Sequence, residues 1–201
     1  LPPGVTRIVD PGQSQITQLN EQSLSLKVTD LKAGDARGIY RDTQQDLRNY
    51  KRLQMWVHAE NLIDDVTNLR SGELSMFIRL GTDVKSNFYE YEIPLQLTPH
   101  GTYNNWVEAD RSTVWPYDNF MDIKLQNLVD LKKARNRAKS EEGSNVGFAT
   151  LFTGRDPDNE RNRIAVMGNP SLSDVRVMLV GVRNNSNSTK DGIVWVNELK
   201  V

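Results

Sequence analysis

The chain has 201 residues, and its 25 Lys and Arg residues nearly balance its 26 Asp and Glu residues, which leaves a formal net charge of -1. This balance removes the long-range attraction to nucleic acid or anionic lipid, so neither is an expected partner. The chain has no cysteine, which excludes disulfides, thiol catalysis and cysteine-based zinc sites.

The beginning of the chain predicts an irregular lead-in over residues 1–19. Pro2, Pro3 and Pro11 stand there with two glycines, and these residue types interrupt helices and strands. The start lacks an initiator Met and the layout of a signal peptide. We therefore expect residues 1–201 to form a single domain excised from a larger protein.

The first half of the chain predicts strands that alternate apolar and polar residues. The alternation runs through residues 23–30, 51–60, 73–80 and 87–97, whereas residues 32–40 are predicted to be a loop. Pro94 cannot donate a hydrogen bond to a neighbouring strand, so the fourth of these strands is predicted at a sheet edge or with a bulge there.

The second half predicts an aromatic loop, one helix and further strands. The loop covers residues 98–119, and the helix covers residues 124–139, where an apolar stripe ends in a run of Lys and Arg that complements the helix dipole. Residues 145–152 and 162–167 are predicted to be short strands.

The C-terminal segments are rich in β-branched and aromatic residues and predict a β-hairpin. Its arms are residues 174–183 and 193–201, joined by a polar turn, and the first arm is apolar on nearly both faces, which favours a central strand. About eight strands with one inserted helix predict a mainly β fold, a two-sheet antiparallel β-sandwich of the jelly-roll type.

Four aromatic residues of the loop form the first candidate site. Tyr103, Trp106, Trp115 and Tyr117 could stack on sugar rings or contact a protein partner. The alternative, which the usual burial of large aromatic side chains favours, is that they cap one end of the core.

Three acidic residues form the second candidate site. Asp156, Asp158 and Glu160 alternate in a short segment, a spacing at which carboxylates can wrap calcium. The segment lacks the glycine and the distal glutamate of the helix-loop-helix calcium motif, so an ordinary acidic turn is the alternative. No other cofactor is expected.

The remaining polar residues predict no catalytic centre. His58 and His100 are the only histidines, and no third nitrogen or sulfur ligand accompanies either. Glu90 and Glu92 share one strand face, which a solvent-facing side of the strand explains without a glycosidase site. We therefore expect no enzymatic activity.

Several long segments resemble the SprA/Sov family. They are residues 20–26 (NEQSLSL), 46–60 (DLRNYKRLQMWVHAE), 89–97 (YEYEIPLQL), 168–176 (GNPSLSDVR) and 194–199 (VWVNEL). Members of that family are very large outer-membrane translocon proteins of the type IX secretion system, which also serves gliding motility. The last strand, residues 194–201, is also similar to the closing strand of galactose-binding-like jelly rolls.

The resemblance implies a structural or interaction domain of a cell-envelope export machine, on the periplasmic or surface face of the outer membrane. Its implied partners are other parts of the same translocon, a lateral-gate shuttle, a plug protein and secreted cargo, with membrane contact only through the parent protein. The resemblance supplies no catalytic residues. The alternative function is a carbohydrate-binding module, which the aromatic loop and the jelly-roll pattern favour.

Overall fold

The computed structural model describes residues 2, 23–197 and 199–200, and apart from Pro2 the predicted lead-in lies outside these residues. Short strands dominate the described chain, and two α-helices and one 3-10 turn interrupt them. In chain order the elements are β1 Leu24–Leu31, β2 Ala36–Gln45, β3 Arg52–Glu60, β4 Leu74–Gly81, β5 Phe88–Pro94, α1 Glu108–Val114, a 3-10 turn Tyr117–Asn119, β6 Phe120–Lys124, α2 Leu125–Lys139, β7 Phe152–Asp156, β8 Asn159–Met167, β9 Val175–Asn184 and β10 Lys190–Val196.

The strands form two antiparallel sheets. One sheet has four strands in the order β1-β10-β3-β6, and the other has six in the order β2-β9-β4-β5-β8-β7. Every strand pair in the described part of the chain is antiparallel. The predicted two-sheet antiparallel sandwich is therefore confirmed.

Helix α2 extends the shorter sheet. It follows β6 directly and packs on β7 and β8, the two strands at the far side of the larger sheet. Gly154 on β7 allows this approach, because a Cβ at that position would lie 2.9 Å from Leu131 Cδ1. The helix predicted over residues 124–139 is confirmed.

The core lies between the two layers. Alternate residues of each inner strand point into it, so the period-2 patterns of the sequence correspond to burial. The side chains of the core include Leu53, Met55, Val57, Leu74, Met76, Ile78, Leu80, Ile93, Ile164, Val166, Val182 and Val194.

The predicted C-terminal hairpin is wrong. Strand β9 pairs with β2 and β4, whereas β10 pairs with β1 and β3 in the other sheet. The Asn184 side chain holds the crossing, since its Nδ2 donates to the carbonyl oxygens of Leu31 at 2.8 Å and Ser188 at 2.7 Å. The polar turn thus spans the two layers, and the predicted interior position of the first arm is confirmed.

Strand β2 occupies residues that the sequence assigned in part to a loop. Its glycine, Gly38, pairs with Gly181 of β9, and a Cβ on Gly38 would lie 2.7 Å from the Val180 carbonyl oxygen. Because both residues are glycines, the backbones of β2 and β9 can approach closely at this point. β2 forms one edge of the six-stranded sheet.

Three smaller predictions also change. Strand β5 lies between β4 and β8, so Pro94 ends an interior strand and does not mark an edge. The aromatic loop contains helix α1 and ends at the start of β6. The strand predicted over residues 145–152 begins only at Phe152.

Candidate functional site

The four predicted aromatic residues lie in two different environments. Trp106 and Tyr117 are 63% and 78% exposed, respectively, on the segment around α1. Tyr103 is half-buried and donates its hydroxyl to the carbonyl oxygen of Pro99, and Trp115 is half-buried with its ring 5.8 Å from that of His58. Their role in ligand binding stays a prediction, which the exposed pair supports best.

His58 joins helix α1 to the four-stranded sheet. It is 1% exposed, its Nδ1 lies 2.8 Å from the Val114 carbonyl oxygen, and its ring packs 5.2 Å from that of Trp195. Its Nε2 lies 3.5 Å from a Glu60 carboxylate oxygen. Burial lowers the pKa of His58 below its usual 6.5 and outweighs the opposing effects of Val114 and Glu60. The imidazole is therefore a neutral part of the core.

We expect the free energy of unfolding to fall as the pH drops below 6.5, because the unfolded chain then binds a proton at His58 that the folded chain resists. The slope from this group is at most about 1.4 kcal/mol per pH unit. Urea unfolding at several pH values should show that His58→Gln lacks this contribution. The control His100→Gln, at a more exposed histidine, should keep it; equal slopes in both variants would contradict the assignment.

The three predicted calcium ligands do not share one environment. Asp156 is 1% exposed and accepts hydrogen bonds from the Tyr91 hydroxyl at 2.6 Å and from Asn127 Nδ2 at 2.7 Å. Asp158 and Glu160 are exposed, and Asp158 accepts a second hydrogen bond from Asn127 at 2.9 Å. These contacts attach helix α2 to the β7-β8 turn.

The described residues contain no group of three or more His, Cys, Asp or Glu side chains placed to hold a metal ion. Calcium binding by Asp156, Asp158 and Glu160 stays a prediction. The hydrogen bonds of Asp156 already give its carboxylate a structural role.

A charged cluster covers the outer face of the six-stranded sheet. Glu90 and Glu92 on β5 are 1% and 5% exposed, so the expected solvent-facing side is wrong. Both carboxylates pair with Arg163 of β8 and Arg183 of β9, and Glu90 also pairs with Arg79 of β4. The strand register places these residues side by side, because Glu90 lies opposite Arg79 and Glu92 lies opposite Arg163.

Aromatic rings complete the same cluster. The guanidinium carbon of Arg183 lies 4.6 Å from the centre of the Phe77 ring, and that of Arg79 lies 4.1 Å from the centre of the Phe88 ring. Cation-π contacts of this kind stabilise partly desolvated arginines. The outer face of the six-stranded sheet is therefore filled by paired charges and aromatic rings in place of aliphatic side chains.

A second feature is a cleft of about 780 Å³ between helix α2 and the segments before β3 and β9. We call it the basic cleft. Six cationic side chains line it, and none of its lining residues in the described chain is Asp or Glu. The cations are Arg48, Lys51, Arg52, Lys124, Lys132 and Lys133.

The floor of the basic cleft is apolar and its walls carry neutral polar groups. Leu125 and Val129 of α2 face Leu47 and Leu172, and Gln126, Asn136 and Ser171 supply amide and hydroxyl groups. The Tyr89 hydroxyl donates to the Pro170 carbonyl oxygen at 3.2 Å and so holds the loop before β9 against the larger sheet. An apolar floor with a few placed polar groups is the usual composition of a binding site.

Sequence reasoning did not find the basic cleft. The sequence pattern indicates only that Lys132 and Lys133 complement the helix dipole, whereas in the structure Lys132 Nζ donates to the Pro170 carbonyl oxygen at 2.7 Å. The other cations come from residues 48–52 and 124, which the chain brings together through the β3-β6 pairing. No spacing pattern within a short stretch of sequence identifies these six cations as neighbours.

The fold and its surface define a two-sheet β-sandwich domain with a buried ionic layer and an open basic cleft. Among the described residues, no helix is long and apolar enough to cross a membrane. A comparison with protein families matches residues 1–201 to the SprA family, described as motility related/secretion protein. The chain belongs to this family, which confirms the resemblance in its sequence.

No curated protein matches the chain in a sequence comparison. The family description names motility and secretion and no enzymatic reaction. Motility and secretion indicate the cell envelope as the place where the domain acts.

Proposed function

We propose that the chain is a non-catalytic interaction domain of the outer-membrane translocon of type IX secretion, which also serves gliding motility. The observation that carries this proposal is the family match over residues 1–201. The proposed partners are other parts of the same translocon, its lateral-gate shuttle and plug proteins, and secreted cargo. The domain acts on the periplasmic or cell-surface face of the outer membrane.

Exposed apolar side chains support a role in protein contacts. Ile63 and Val66, in the connection between β3 and β4, are each 90% exposed, and Tyr40 on β2 is 64% exposed. Apolar side chains of this size at a surface are common in protein interfaces when they lie close together. Among the described strands, β2 has a neighbour on one side only, so an extended segment could add to its other side.

Crosslinking in living cells tests this function. A photoreactive amino acid at Ile63, Val66 or Tyr40 is expected to crosslink to translocon, shuttle, plug or cargo proteins, identified by mass spectrometry. The matched control places the same amino acid at Val114, which is fully buried. Crosslinks confined to proteins outside the secretion machinery, or normal secretion and gliding after in-frame deletion of the domain, would contradict the proposal.

Carbohydrate binding is the second candidate, and the exposure of Trp106 and Tyr117 favours it. Stacking of a sugar ring on Trp106 predicts that Trp106→Ala weakens glycan binding about tenfold or more, because aromatic anchors dominate such sites. A glycan array followed by calorimetry measures this change. The control Tyr40→Ala removes an exposed aromatic ring elsewhere and should leave binding unchanged; an array without any bound glycan would exclude this function.

A further inference from the structure

The basic cleft carries positive charge that the chain does not balance. Four of its six cations pair with carboxylates, which belong to Asp46, Asp122, Asp130 and Asp158. Lys51 and Lys132 have no carboxylate within ion-pair distance among the described residues. The hydrogen bond from Lys132 to the Pro170 carbonyl leaves the charge of the ammonium group in place.

A buried arginine on the same helix adds to this charge. Arg135 on α2 is 0% exposed, and neither its Nη1 nor its Nη2 has a hydrogen-bond partner in the described structure. Its guanidinium carbon lies 4.7 Å from the centre of the Phe148 ring. Burial lowers the pKa of Lys132, and the charge of Arg135 lowers it further. The side of the cleft at Lys132 therefore has a positive potential that an anion would relieve.

The lining of the cleft favours an anionic chain segment over an anionic surface. The volume of about 780 Å³ admits a few side chains, the floor is apolar, and Gln126, Asn136 and Ser171 can bind peptide groups. The aspartates paired with the other four cations offset part of the positive charge that a flat anionic surface such as a membrane or a nucleic acid would need. The carboxylates of a short segment can instead bind at Lys51 and Lys132 alone.

We propose that the basic cleft binds an acidic peptide segment, with its carboxylates at Lys51 and Lys132 and its apolar side chains on Leu125 and Val129. This inference deepens the proposed function, since the segment would belong to a partner of the secretion machinery. The inference names the class of ligand, an acidic peptide, for the cleft that lies between α2 and the segments before β3 and β9.

Fluorescence anisotropy of the 201-residue chain with a labelled peptide of alternating Glu and Leu tests the proposal. Reversal of both charges in K51E/K132E is expected to raise the dissociation constant about tenfold or more. At each of the two positions, attraction to a peptide carboxylate is replaced by repulsion. K51R/K132R keeps both charges and should retain binding. The control K27E/K85E makes the same change in net charge at two exposed lysines outside the cleft and should change the constant less than about twofold.

Equal losses in K51E/K132E and K27E/K85E would overturn the proposal, because the peptide would then sense only net charge. Equal binding of a peptide with Gln in place of Glu would also overturn it. If K51E/K132E fails to fold, K51A/K132A replaces it, with circular dichroism as the check on folding. If K51A/K132A binds the peptide as tightly as the wild-type chain does, the proposal is overturned as well.

Vesicles separate the two sources of anionic groups. Phosphatidylglycerol vesicles should bind the wild-type chain no better than phosphatidylcholine vesicles do; cleft-dependent vesicle binding without peptide binding would assign the cleft to a lipid headgroup and overturn the proposal. These measurements use purified protein alone. If the peptide does not bind the cleft but the crosslinks to the secretion machinery are observed, the cleft inference is refuted and the proposed function is not.

Discussion

Replacement of Glu92 by Gln is expected to lower the free energy of unfolding by about 3 kcal/mol, the lower end of the cost of breaking a buried ion pair. The lower end applies because Arg163 and Arg183 are 32% and 15% exposed and retain some hydration. Glu92 also accepts hydrogen bonds from Ser75 and Asn185, which an amide can satisfy only in part. Urea unfolding of the two proteins measures the difference.

The same variant has a pH signature. Burial alone would raise the pKa of Glu92, but the hydrogen bond from Ser75 and the charges of Arg183 and Arg163 hold it below its usual 4.5. A lowered pKa contributes stability above pH 4.5 that is lost as the pH falls through the folded-state pKa. Glu92→Gln should lack this acid-dependent loss.

A matched control separates the cluster from a general effect of charge. Glu160→Gln makes the same chemical change at an exposed position and should alter stability by less than about 0.5 kcal/mol. A similar small value for Glu92→Gln would show that the outer ionic layer contributes little. The cation-π contacts with Phe77 would then be the stronger part of the cluster.

The sequence predicted the strands that carry strict alternation, such as β3 and β4, because one buried face imposes a period of two. It also predicted α2, whose apolar stripe and basic end are local features. Pairing partners are not local. The strands β9 and β10 follow one another with a turn between them and nonetheless enter different sheets, which periodicity cannot distinguish.

The polar features could not be predicted for the same reason. Glu90 and Glu92 alternate like solvent-facing residues, and only the register with β4 and β8 places arginines beside them. Lys51 and Lys132 are 81 positions apart in the sequence and line the same cleft because β6 pairs with β3 and continues into α2. A sequence shows that a residue is charged, but which side chains lie beside it on the neighbouring strands depends on the whole topology.

Leu128→Ala should lower the free energy of unfolding by about 3 kcal/mol, since it leaves a cavity where a fully buried leucine side chain is removed. Leu128 is 1% exposed and is part of the core on which α2 packs. Among the described residues, the helix follows the edge strand β6 of the smaller sheet and packs on β7 and β8 of the larger one, so it joins the two layers.

Hydrogen exchange can locate this loss. If α2 joins the two layers in this way, its amides and those of β7 and β8 should exchange faster in Leu128→Ala, while those of β1 and β10 change only with global stability. The control Arg137→Ala shortens an exposed side chain on the same helix and should cost less than about 0.5 kcal/mol. Uniform acceleration across both sheets would instead mean that α2 and the sheets unfold as one unit, and the helix would then be an integral layer of the sandwich core.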